Sequence, residues 1–169
     1  MPEGFPAGIN FSKAEGGSGM SEFSEKMGMT VGNYFKQSYN CGEAIVQAFR
    51  KEAGVDIDDN AFRLCSGFGG GMGHARDVCG ALVGCIMVIS TLVGRNNPQE
   101  KKLGEIYPYS KEFHDRFVQT FGSSACKDLM HFEFDTRDHL INCLKLSNKI
   151  GKLLAEYLEE KKLLPVVKS

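Results

Sequence analysis

The sequence contains no C-x-x-C pair, no run of basic residues and no alternating strand pattern, and each absence removes a class of protein. With 20 Lys plus Arg set against 21 Asp plus Glu, and no basic-aromatic stripe, nothing would track a phosphate backbone, so no nucleic-acid partner is expected. The opening residues, Met1-Pro2-Glu3-Gly4-Phe5-Pro6, lack the basic start and apolar core of a secretory signal, which points to the cytoplasm. A membrane span needs about 20 apolar residues. The longest uncharged stretch, Val78 to Gly94, is seventeen residues and includes Ser90, Thr91 and three glycines, so no membrane insertion is expected. No G-x-G-x-x-G occurs, because Met72 stands where Gly67 and Gly69 would require the third glycine, and no Gly-Lys-Ser or Gly-Lys-Thr follows. No nucleotide cofactor is therefore expected, nor, without C-x-x-C-H, covalent haem.

What is present is six cysteines and a glycine-rich centre. In a reducing compartment six cysteines argue for metal or redox work over structural disulfides; the bland alternative is that some are small buried hydrophobes. The loop Gly67-Phe68-Gly69-Gly70-Gly71-Met72-Gly73 leads to Asp77, a plausible N-cap, and then to Cys79 at the head of the uncharged stretch. That stretch suits a helix buried on nearly all sides. In the first turn of such a helix a thiol meets free N–H groups and the positive end of the dipole, which favour the thiolate. Cys79 is therefore expected to be the most reactive thiol, followed by Cys41 and Cys126. Gly69, Gly70, Gly71 and His74 are expected to line a cofactor by close backbone approach or N–H donation. Gly80 and Gly84, four apart, predict a smooth strip for a neighbouring helix, the one bearing Cys41 or the one bearing Cys143.

Along the chain the periodicity is helical, and an all-α, compact multi-helix bundle around a buried central helix at about residues 77–95 is expected. Residues 1–20 read as a tail or an expression remnant, and 21–169 as a single four-cysteine domain. A first helix starts at Ser21 and ends near Gln37. Asn40 caps a second through Ala53, with Cys41, Ala44, Ile45, Ala48 and Phe49 on its apolar face. Asp58 or Asp59 caps a short third. After Arg95-Asn96-Asn97-Pro98 a helical segment begins near Gln99, interrupted around Pro108, and Phe113, Phe117, Val118 and Phe121 form a core stripe. Gly122 stops it, Ser123 or Ser124 caps a short helix opening at Cys126, and Asp138 caps a long one with Leu140, Cys143, Leu146, Ile150, Leu154 and Tyr157 inward. His114, His131 and His139 read as surface residues. His139 lies one turn before Cys143 and is the one placed to act as ligand or proton carrier, with a weaker claim than His74.

The motifs Tyr39-Asn40-Cys41-Gly42-Glu43-Ala44 and Cys79-Gly80-Ala81-Leu82-Val83-Gly84, with Cys126 and Cys143 downstream, resemble those of the prokaryotic redox-active proteins called C_GCAxxG_C_C after their cysteine pattern. The Gly67–Gly73 loop and Phe121-Gly122-Ser123 belong to the same likeness, which covers roughly residues 30 to 150. The resemblance implies redox activity or cluster binding, and leaves Cys65 and Cys85 outside the set as packing residues.

Three readings follow. In the first, Cys41, Cys79, Cys126 and Cys143 converge on one centre and bind an iron-sulfur cluster or another thiolate-bound metal such as zinc, for electron transfer. In the second, two of them form a thiol-disulfide couple, Cys79 with Cys41 or with Cys143, making Cys79 and Cys41 the catalytic pair. The third is a structural helical interaction module with core cysteines. A redox partner of unspecified kind is expected, with a second copy of the chain in a homodimer as a further one.

Overall fold

The computed structural model describes residues 21–165; the expected tail at residues 1–20 lies outside them. Helix α1 (Glu22–Lys36) begins where the Ser21 hydroxyl accepts from the Ser24 N–H. Helix α2 (Cys41–Glu52) begins with a reciprocal capping box, in which Asn40 accepts from the Glu43 N–H and the Glu43 carboxylate accepts from the Asn40 N–H. Asp58 caps α3 (Asp59–Arg63). The chain then passes through a 3-10 turn (Ser66–Phe68) and a helical turn (Gly69–Met72) before α4 (Gly80–Val93), α5 (Leu103–Phe121), the short α6 (Cys126–Leu129) and the long α7 (Arg137–Glu160). Among the described residues there is no strand. Among those residues one antiparallel bridge, Val78 to Ala125, joins two loops, and no helix of the described residues is long and apolar enough to cross a membrane.

Four starts differ from the sequence reading, the fourth being α5, which begins at Leu103 and not near Gln99. Helix α4 opens at Gly80, so its N-cap is Cys79 itself and not Asp77. Thr136 caps α7 in place of Asp138, its hydroxyl accepting from the His139 N–H. Ala125, not a serine, precedes α6, while the Ser123 hydroxyl accepts from the Ala125 N–H. Helix α5 starts at Leu103 and runs uninterrupted through Pro108. A proline early in a helix removes a single bond to the carbonyl four residues back, here that of Gly104, a loss that a long, packed helix tolerates. Gly122 stops α5 in the left-handed conformation (φ 91°).

The bundle is organised by helix pairs. Helix α1 lies along α7 and also meets α2, and α2 packs on α4, which is flanked on another side by α5 and touches α7. Phe49, Ile45, Ile89, Phe113, Phe117, Ile150, Leu154 and Tyr157 are fully enclosed between them. The central helix buries Leu82, Cys85, Val88 and Ile89, while Ser90 and Thr91 reach solvent.

Two helix contacts are so close that only glycine fits. A Cβ on Gly84 would stand 2.8 Å from the Gly42 carbonyl oxygen, and a Cβ on Gly42 would stand 2.9 Å from that of Gly80. The partner atoms are backbone, which cannot rotate aside. On the opposite flank a Cβ on Gly28 of α1 would stand 2.8 Å from the Asn148 carbonyl oxygen of α7, while one on Gly32 would meet the Asn148 side chain. The helix that uses the Gly80–Gly84 strip is therefore the one bearing Cys41. Replacing Gly84 with Leu should cost on the order of 1 to 3 kcal/mol or more through overpacking. Denaturant unfolding of Gly84→Leu checks this, and an unchanged midpoint would show that the contact carries no constraint.

Candidate thiol site

The loop before α4 is built to a tight radius. Gly70 (φ 63°) and Gly71 (φ 68°) take left-handed conformations, and so do the non-glycine residues Met72, His74 and Arg76 (φ 64°, 68° and 60°). Each of the latter costs roughly 1 to 2 kcal/mol relative to ordinary backbone. In exchange the N–H groups of His74, Arg76 and Asp77 donate to the carbonyls of Gly69, Gly70 and Gly71 at 3.2, 3.1 and 3.1 Å. Gly71 presses so closely on the next segment that a Cβ there would lie 2.7 Å from the Cys126 Cβ.

Around the bridge, the Cys79 N–H donates to the Ser124 carbonyl at 2.8 Å, the Cys126 N–H to that of Asp77 at 2.6 Å and the Lys127 N–H to that of Arg76 at 3.0 Å. Those bonds set Cys79 beside Cys126. Close packing of α2 on α4 sets Cys41 there too, since a Cβ on Gly80 would lie 2.8 Å from the Cys41 Sγ. Cys143, in the second turn of α7, completes the group. All four open on one cavity of about 700 Å³. All six cysteines are free thiols. Cys65 and Cys85 are fully enclosed elsewhere; Cys65 donates its S–H to the Phe62 carbonyl at 2.8 Å.

Cys41 carries the charge of the group. Its Sγ accepts a hydrogen bond from the Cys143 thiol and further bonds from the N–H groups of Gly70, Gly42 and Ala81, which outweigh burial and lower its pKa to about 7. Cys143 is raised well above its ordinary value because it is the donor in that bond, with burial acting in the same direction. The pair shares one proton, and the three backbone donors decide which sulfur goes without it. Cys79 is pushed up to about 12 by burial and by the charge of Cys41. Cys126 is raised by burial and then by the same charge, with Arg76 opposing. These shifts make Cys41 and not Cys79 the most acidic of the four thiols, the opposite of the order expected at its head. As the cap residue Cys79 stands just outside the first turn; N–H groups of Leu82 and Ala81 reach it but do not offset its enclosure.

Of the other expected site residues, Gly69, Gly70 and His74 lie on the cavity wall, and the Gly70 N–H serves Cys41, not Cys79. Gly71 is buried behind Cys126, off that wall. His139 is not a surface residue: it is 8% exposed and lines the cavity. Its Nδ1 accepts from the Asp135 N–H at 3.2 Å, which leaves the ring proton on Nε2, and burial lowers its pKa, keeping it neutral at pH 7. Leu140, expected inward, is 45% exposed at the cavity rim, because the inward position one turn before Cys143 falls four residues back, at His139, and not three back.

Phe134 was not legible as a site residue. His74 stacks on it (centroids 4.0 Å apart, planes at 9°) and the Arg76 guanidinium lies 4.3 Å from its ring centre. His139 meets it edge-on at 5.0 Å. Arg76 also donates to the carbonyls of Met130 and Phe132, both at 2.7 Å. This clamp ties the glycine loop to residues 130–134 and so to the head of α7. A phenylalanine two places from another in an irregular segment is the only sequence signal it leaves.

With four free thiols of the family pattern facing one cavity, the match to a known family can be weighed. A family model described as Putative redox-active protein (C_GCAxxG_C_C) matches residues 39–157. The chain belongs to that family. No curated protein and no solved structure matches it. The match spans Cys41, Cys79, Cys126 and Cys143. Among the described residues no group of three or more His, Cys, Asp or Glu side chains stands close enough to hold a metal ion.

Alkylation of the reduced protein at graded pH, read by peptide mass spectrometry, should label Cys41 first, with half-maximal rate near pH 7. Cys79 and Cys143 should stay slow until well above pH 9. Faster labelling of Cys79 than of Cys41 at pH 7.5 would overturn this assignment.

Proposed function

We propose that the cavity is a thiol-disulfide redox centre in which Cys41 is the nucleophile and Cys143 the resolving thiol. What supports this most directly is that Cys41 and Cys143 meet in one cavity, where a hydrogen bond from the Cys143 thiol, with backbone N–H groups, lowers the Cys41 pKa to about 7. A thiol whose pKa lies near ambient pH combines a large thiolate fraction with retained nucleophilicity. The Cys41 thiolate attacks one sulfur of a disulfide, bonds to it and expels the other as a thiolate, which takes up the proton of Cys143. The Cys143 sulfur then attacks Cys41 Sγ and expels the second thiolate. The protein sulfurs end as a disulfide, oxidised by two electrons, and the substrate ends as two reduced sulfurs. Neutral His139, with its proton on Nε2, is a hydrogen-bond donor in the cavity wall and not a base for these steps.

A second reading rests on a separate observation: two further thiols, Cys79 and Cys126, share the cavity, and the charge of Cys41 helps to raise both. A cation among the four would offset that repulsion, and four thiolates are a donor set suited to zinc or an iron-sulfur cluster. Cys41, Cys79, Cys126 and Cys143 would be the residues that hold it, but only after their side chains close in, since as they stand no three are within reach of one ion; the bound group would supply one-electron transfer or, as zinc, a structural clamp.

Equilibration in a dithiothreitol redox buffer, followed by disulfide mapping, should yield a Cys41–Cys143 bond, and Cys143→Ser should abolish it without creating a Cys41–Cys79 bond. Failure to form that bond at any poise would remove the first reading. Anaerobic purification with elemental analysis and a visible spectrum tests the second: stoichiometric iron or zinc supports it, and metal-free, colourless protein removes it.

A further inference from the structure

Three of the four thiols are nearly enclosed beside the cavity, Cys143 being the half-buried one, and this limits what can react with them. Cys41, Cys79 and Cys126 are 7%, 5% and 8% exposed, and the glycine loop, the N-terminus of α2 and the head of α7 surround them. The cavity of about 700 Å³ falls in the range that accommodates small organic ligands, roughly 300 to 1,000 Å³, and is far larger than a disulfide bond requires. Its walls beyond the sulfurs are apolar over most of their area, with Met130 and Leu146 buried, Phe35 and Leu144 half-buried and Leu140 and Ile141 exposed at the rim, while Lys36 and Asp135 border it. Exchange requires the attacking sulfur to come to bonding distance of the disulfide, about 2.05 Å in the product. A disulfide on the surface of a folded protein is held between its own backbone segments and cannot be pushed down such a cavity, whereas a free disulfide of low molecular weight can enter whole.

Resting on the thiol-disulfide reading of this site, we propose that its substrate is a low-molecular-weight disulfide with an apolar or uncharged body, enclosed by the cavity, and not a disulfide of a folded protein. Leu140 and Ile141 form the rim it passes, and the sulfur chemistry is the exchange described above, with the small disulfide as the oxidant.

Two probes of different size test this in Cys143→Ser, in which the serine hydroxyl retains a donor to Cys41 while the mixed disulfide can no longer be resolved. Bis(2-hydroxyethyl) disulfide should form the Cys41 adduct at least ten-fold faster, per mole of disulfide, than insulin, as read by intact and peptide mass spectrometry. Insulin reacting as fast as the small probe would overturn the proposal while leaving the Cys41–Cys143 couple standing. If neither probe modifies Cys41 and the dithiothreitol buffer yields no Cys41–Cys143 bond, the couple itself has failed and the proposal falls with it. An added Leu140→Trp substitution narrows the rim. The rate toward bis(2-hydroxyethyl) disulfide should then fall at least five-fold relative to the rate toward the smaller iodoacetamide, and an unchanged ratio would show that the reagent does not pass that rim.

Discussion

Backbone-to-backbone contact between α2 and α4 is the constraint on which the arrangement of sulfurs depends. Gly42, Gly80 and Gly84 let the two helices meet with carbonyl oxygens where side chains would otherwise stand, and this contact carries Cys41 to the head of α4. The CGAxxG signature is thus a packing motif as much as a chemical one. Its cysteine is largely enclosed, and its two glycines make room for the neighbouring helix that bears the charged thiol.

Holding a thiolate at 7% exposure requires donors, because a charge moved out of water loses its hydration. Cys41 is supplied from four places: Cys143 on α7, Gly70 in the glycine loop, Gly42 in its own helix and Ala81 in α4. Each lies in a different part of the fold, so the thiolate links the bundle together electrically much as the glycines do sterically. The left-handed loop residues fit the same purpose. The loop brings the Gly70 N–H to the Cys41 sulfur, and the Arg76–Phe134–His74 stack holds the loop against the segment that leads into α7.

One charged sulfur also explains its neighbours. Cys79, Cys126 and Cys143 are all held protonated in part by the Cys41 charge, so a single ionisation sets the state of the whole group. A centre of this kind is primed either to pass that charge into a sulfur–sulfur bond or to share it with a cation, and both outcomes draw on the same four side chains.

Helix spans were legible from the sequence wherever a local signal sufficed. Ser21, Asn40 and Asp58 cap through bonds to residues three positions on, and Gly122 stops α5 by its own conformation. The four cysteines and their family pattern were legible for the same reason, being properties of residue order. Which sulfur ionises was not. Cys79 and Cys41 look alike as thiols at helix starts, yet donors from α7 and the glycine loop reach only Cys41, and enclosure of Cys79 comes from segments far along the chain. His139 and Leu140 exchanged their expected places because the inward position one turn before Cys143 falls four residues back, at His139, where Phe134 and the Asp135 N–H meet the imidazole. Sequence alone determined the helices and the sulfur inventory, since capping and periodicity act over a turn or two. Tertiary structure alone decided the charge and the access, because desolvation and hydrogen bonding at a buried sulfur are sums over whatever the fold brings near it.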